Sequence, residues 1–180
     1  MKTSVRKTKL EVALSDITKL EVDAIATPSS TSLEMDHGVG AVVKARGGEA
    51  IEAEAMLQGP IALGHAVVTT GHDLIARWVI HVALTEGVVP HTEAAMIAEA
   101  TRSAFEAAQR CHARSIALPA FGTGACGFPI QQCASIMVAE TVAFVRAHGG
   151  TSLRHVMFAV YDETARAAFQ HALAGVSRLQ

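Results

Sequence analysis

The sequence predicts an α/β domain in which helices cover both faces of a sheet. Three observations predict it. Strand-like and helix-like patterns alternate through most of the chain, the signature of strands joined by covering helices. One pair of strand-like runs, 65–70 and 77–84, has a connection too short for a helix, so that pair is expected to be antiparallel. The 180 residues contain no long linker, low-complexity tract or repeat. They fit one domain, 1–180, with residues 1–8 expected as a flexible N-terminal segment.

The elements follow in order. Leu10, Val12 and Leu14 alternate with polar residues, which predicts a first strand. A short second strand, 23–28, is stopped by Pro28. From Gly38 to about Leu57 the pattern is helical, with a break at Gly47-Gly48. The strands 65–70 and 77–84 come next, followed by a helix over 92–111 whose apolar residues, among them Ile97, Ala104, Phe105 and Ala108, recur at helical spacing. The apolar run 114–120 predicts a buried strand. A helix over 130–148 ends at Gly149-Gly150, a last strand covers 154–162, and a closing helix covers 163–176.

Composition narrows the function. Fifteen Lys and Arg against seventeen Asp and Glu leave a net charge of −2, which argues against a broadly basic nucleic-acid surface. No apolar run reaches the roughly 18 residues of a membrane span, and no apolar signal-like run follows the basic start. Three cysteines at irregular spacing do not form a disulfide framework. Cys111-His112, Cys126 and Cys133 lack zinc-ligand spacing, so neither a metal nor a cofactor is expected. His81 reads as a satisfied core histidine. The expected location is the cytoplasm.

The chemistry concentrates at "PAFGTGACGFP", residues 119–129, between a strand and a helix. Without Cβ atoms, successive amides can converge on one point, and such a nest before a helix N-terminus attracts phosphate. Gly122, Gly124 and Gly127 fit neither the lysine-containing phosphate loop nor a dinucleotide turn after the first strand. A tight structural turn and a phosphate site both explain the spacing. A second small-residue loop, 27–43, also leads from a strand into a helix, and ligands of open α/β sheets bind beyond the carboxyl ends of strands.

Three segments in order, "ALSDITKLEVDAI" (13–25), "GPIALGHAVVTTGHDLIARWVIHVA" (59–83) and "RSIALPAFGTGACGFP" (114–129), resemble the macro domain family, which binds ADP-ribose. The resemblance runs from about Leu10 to about Leu173. It implies a three-layer α/β/α sandwich around a mixed sheet, and ADP-ribose or another adenine nucleotide as partner. By that resemblance Asp16 accepts from the adenine amino group, Ile17 offers its amide beside the base, and Tyr161 packs against adenine. Thr123, Gly124, Ala125, Cys126 and Gly127 hold the phosphates, and Gly38 and Val39 close the first loop. On sequence alone, Asp16 is equally a helix N-cap, Tyr161 an edge-of-core aromatic with a wet hydroxyl, and Cys126 either a small loop residue or a thiol activated by the helix end.

The departures cluster at the distal-ribose end. The family's Asn-rich tract is Thr27-Pro28-Ser29-Ser30, which leaves Thr27 and Ser30 as the candidate contacts there. Its glycine tract is Met35-Asp36-His37-Gly38, its acidic position after Gly-Val is Gly40, and an aromatic of the second loop is Cys126. Asp36 and His37 are the remaining candidates for acid–base chemistry, and Asp36 would repel a phosphate unless His37 or a cation screens it. The expectation is a nucleotide-binding module. The alternatives are an ADP-ribose-directed hydrolase (de-ADP-ribosylation, O-acetyl-ADP-ribose deacetylation or ADP-ribose-1″-phosphate dephosphorylation) and a degenerate module contacting protein or RNA.

Overall fold

A computed structural model describes residues 2–86 and 91–177. Its strands are β1 (Lys2–Val5), β2 (Thr8–Leu14), β3 (Ala24–Ser30), β4 (Ala66–Thr70), β5 (Trp78–Thr85), β6 (Ser115–Pro119) and β7 (His155–Val160). They form one sheet in the order β1-β2-β7-β6-β3-β5-β4. The five central strands run parallel, and β1 and β4 pair antiparallel at the edges. The helices are α1 (Gly38–Gly47), α2 (Ala50–Met56), α3 (Ala94–Arg110), α4 (Ile130–Ala147) and α5 (Glu163–Ser177). This is the mixed-sheet sandwich expected from the sequence.

The period-2 geometry of strands explains how the central strands cover two cores. Ala24, Ala26, Ile80, Val82, Ile116, Leu118, Val156 and Phe158 face the larger core under α3, α4 and α5. The residues between them, Ile25, Val79, Ala117 and Ala159, face a smaller core with Ile17, Val43 and Ile51, on the side of α1 and α2. A strand buried on both faces is apolar at most positions, so these strands read as mainly apolar runs rather than alternating ones, with Thr27 and His81 as buried polar exceptions.

The predicted break between α1 and α2 is present: α1 ends at Gly47, and Gly48 has φ +95. The N-terminal segment differs from the flexible one expected. Lys2–Val5 form a strand whose register sets Lys2 opposite Glu11 and Val5 opposite Thr8. Its composition, Lys-Thr-Ser-Val, is that of a short edge strand with a Lys, and it carries no apolar period because Val5 is its single apolar and buried side chain.

Candidate functional site

The sheet order decides which loops meet. β2, β7, β6 and β3 are consecutive parallel neighbours, so their carboxyl ends open on one edge. Leu14 lies opposite Val160 and Pro119 opposite Ala159, so the chain leaves these strands at nearly one level. Asp16 and Ile17 follow β2, Tyr161 follows β7, the loop 120–129 follows β6, and the loop 31–37 follows β3. The three gaps between these four strands span about 14 Å.

At one end, Asp16 caps the 3-10 turn Ile17–Lys19. Its Oδ1 accepts from the Thr18 amide at 3.0 Å and from the Thr18 hydroxyl at 2.7 Å. Its Oδ2 faces the Arg46 guanidinium at 3.7 Å. The Thr18 hydroxyl, helped by the Thr18 amide and Arg46 against partial burial, holds the carboxyl below its ordinary value. Asp16 is therefore an N-cap and still keeps one oxygen outside the cap. Tyr161 is 55% exposed. Partial burial raises its hydroxyl's pKa, the Asp16 charge adds to this, and a hydrogen bond from the Ile17 amide opposes it. Tyr161, distant in sequence from Asp16 and Ile17, thus forms one cluster with them.

In the loop after β6, the Gly127 amide donates to the Gly124 carbonyl at 2.9 Å and the Phe128 amide to the Gly122 carbonyl at 2.9 Å. These two bonds close the loop on itself. The amides of Thr123, Gly124, Ala125 and Cys126 have no acceptor among the described residues. Gly127 differs from its expected role, because its amide is used inside the loop and its contribution is a φ of +62. Gly122, at φ +74, leaves no room for a Cβ, which would sit 2.6 Å from Thr92 Cγ2. The Thr123 hydroxyl turns back to the Ala120 carbonyl at 3.0 Å. Burial pushes the Cys126 thiol pKa up, the opposite of an activated nucleophile.

On the β3 side, the first intrahelical bond of α1 runs from the Ala41 amide to the His37 carbonyl, so the amides of Gly38, Val39 and Gly40 precede it. Thr27 is fully buried, and its Oγ1 lies 3.6 Å from where a Cβ on Gly40 would stand. It packs beneath α1, not toward the strand ends. The Ser30 hydroxyl pairs with Ser32 at 2.8 Å. Asp36 does not orient His37: its Oδ1 accepts from Lys44 Nζ at 2.7 Å. Lys44 also donates to both Glu52 oxygens at 3.0 Å, and Glu52 accepts from the Met35 amide at 2.6 Å. His37 is exposed and makes no side-chain cap bond.

Lys44, Glu52 and Arg46 are the residues that sequence reasoning missed. Lys44 and Glu52 lie on different helices, so no helical spacing relates them, and Arg46 reads as an ordinary surface cation. His81 meets its expectation by half. Its Nε2 pairs with Thr69 Oγ1 at 2.9 Å, while its buried Nδ1 has no partner among the described residues.

A family model described as Macro domain matches residues 11–137. The chain belongs to the macro domain family. It is 37% identical over 172 residues to the O-acetyl-ADP-ribose deacetylase of Klebsiella pneumoniae, covering 91% of this chain and 95% of that protein. It is 41% identical over 170 residues to an uncharacterized protein of Mycobacterium tuberculosis, covering 94% of this chain and 46% of that protein. The chain thus spans about half the length of the mycobacterial relatives it matches. Among solved structures, an Oceanobacillus iheyensis macrodomain with ADP superposes with a TM-score of 0.88 at 21% identity, over 100% of this chain and 97% of that one. A Trypanosoma brucei macrodomain in complex with ADP-ribose superposes with a TM-score of 0.83 at 26% identity, over 91% of this chain and 68% of that one. Among the described residues of this macro domain, no helix is long and apolar enough to cross a membrane.

Proposed function

We propose that this macro domain binds ADP-ribose or a related adenine nucleotide across the carboxyl ends of β2, β7, β6 and β3. The observation that carries the reading is the set of four consecutive amides, Thr123 to Cys126, without a hydrogen-bond acceptor among the described residues, in the loop between the Asp16–Tyr161 cluster and the start of α1. Amide dipoles aimed at one region compensate an anion without a lysine. The Asp16 Oδ2, outside the cap and 3.7 Å from the Arg46 guanidinium, suits an exocyclic amine, since an ionised carboxylate only accepts. The complexes of the T. brucei and O. iheyensis macrodomains with ADP-ribose or ADP support the ligand class. Three free cysteines agree with a cytoplasmic location for the chain. Calorimetric titration with ADP-ribose, ADP and AMP tests the proposal. Saturable binding of ADP-ribose or ADP is expected, and no heat from either would overturn it.

The name of the K. pneumoniae relative favours a second reading, deacetylation of O-acetyl-ADP-ribose. Ester hydrolysis needs a water positioned and activated at the acetylated ribose. Thr27 is buried under α1, Gly40 has no side chain, and Asp36 is tied to Lys44, so His37 is the remaining titratable group on this loop without a fixed partner. Turnover that survives in wild type and disappears in His37→Ala would establish this reading. Turnover equal in both would assign any catalysis to the phosphate-loop side.

A further inference from the structure

We propose that Lys44 is a positioning residue for the phosphate subsite: it holds the Asp36 carboxylate away from the amides at the start of α1. This inference rests on the nucleotide reading above. Asp36 stands two residues before Gly38, so an unrestrained carboxylate there could swing over the amides of Gly38, Val39 and Gly40, where a phosphate would be compensated. It would satisfy those donors itself, or repel the ligand.

The structure gives the carboxylate another place. Lys44 lies six residues further along α1, about 9 Å along the helix axis. Its ammonium reaches Asp36 Oδ1 at 2.7 Å while held from behind by both Glu52 oxygens at 3.0 Å. Glu52 is anchored in turn by the Met35 amide at 2.6 Å, and the Met35 side chain is buried in the smaller core. The chain of contacts therefore runs from the core through Met35, Glu52 and Lys44 to Asp36. It draws the negative end of the loop toward the flank of α1 and α2. Lys44 is 22% exposed and Asp36 59%, so the anchor is the better-fixed partner. The hydrogen bonds to Asp36 and Glu52 also raise the Lys44 pKa. A glycine tract would need no such restraint. A loop that carries Asp36 does.

The test is titration of ADP and of adenosine, at low and at physiological ionic strength, into wild type, Lys44→Met and Asp36→Asn/Lys44→Met, with thermal melts of each. Lys44→Met is expected to weaken ADP on the order of tenfold at low ionic strength and less as salt is raised. Adenosine, which lacks phosphate, should change by less than about twofold, because a freed carboxylate opposes only a charged ligand. Removing the charge at Asp36 should restore ADP binding in the double variant. ADP affinity unchanged in a well-folded Lys44→Met overturns the inference. So does a loss shared by ADP and adenosine that the double variant does not recover, since that marks a purely structural role. Wild type failing to bind ADP overturns the nucleotide reading and this inference with it, which separates the two failures.

Discussion

On the proposed reading Asp16 has two jobs, and a comparison of two substitutions separates them. Its Oδ1 caps the 3-10 turn by accepting from the Thr18 amide and hydroxyl, and its Oδ2, which faces Arg46, is the oxygen proposed to meet a base. Asp16→Ala removes both. Loss of such a cap costs about 1 kcal/mol, which lowers Tm by about 2–4 °C in a chain of this size. Asp16→Asn is more informative. The Thr18 amide is a donor, so it selects the Asn carbonyl for the Oδ1 position and turns the Asn NH2 to the Oδ2 position. The cap survives, Asn being as good an N-cap as Asp, but a donor now meets the donor of the adenine amino group. A hydrogen bond to a charged partner contributes about 1.5–3 kcal/mol. The expected loss in ADP-ribose affinity is therefore roughly tenfold to a hundredfold. The assay is calorimetric titration beside a thermal melt. Asp16→Asn should melt like wild type and bind weakly, whereas Asp16→Ala should melt lower and also bind weakly. Asp16→Asn binding ADP-ribose with wild-type affinity would refute the assignment and leave Asp16 as a cap alone.

Three other predictions follow from the same geometry. A Cβ at Gly124 meets nothing within 4 Å, so Gly124→Val should leave Tm nearly unchanged while the added side chain occupies the phosphate subsite and abolishes ADP binding; retained binding would count against the amide nest. Burial pushes the His81 pKa down to about 4 from 6.5, so the unfolded chain binds the proton first as pH falls. Stability should be greatest above pH 6.5, decline between 6.5 and about 4, and lose nothing further from this group below that. The total is about 3 kcal/mol, readable from urea unfolding at a series of pH values; a flat profile would show that His81 is not held neutral. Finally, the raised pKa of Cys126 predicts slow alkylation by iodoacetamide at neutral pH, and Cys126→Ala should bind ADP as wild type does; rapid alkylation would reopen a role for the thiolate.

Local patterns carry most of the elements in this chain. The alternation at Leu10, Val12 and Leu14, the helical spacing from Ile97 to Ala108, the Gly47-Gly48 break and the glycine loop each depend on residues close in sequence. Backbone sterics and burial periodicity express them directly. For the same reason the glycine loop after β6 was legible as a loop of exposed backbone, because an amide needs no particular side chain to be offered, only neighbours that do not cover it. β1 was not legible: an edge strand of Lys, Thr and Ser is defined by its partner rather than by its own pattern.

Tertiary structure alone decided which loops share a site and what their side chains do there. The order β2-β7-β6-β3 brings Asp16 to Tyr161, 145 residues away in the chain, and sets both beside the loop 120–129. It also buried Thr27 under Gly40, turned the Gly127 amide inward, and gave Asp36 to Lys44 rather than to His37. Strand order and side-chain partners arise from contacts between distant segments, and the free energy of those contacts depends on distances that exist only after the sheet has assembled. The sequence alone therefore names the loops and their residue types, and the assembled sheet determines which of them meet at the strand ends.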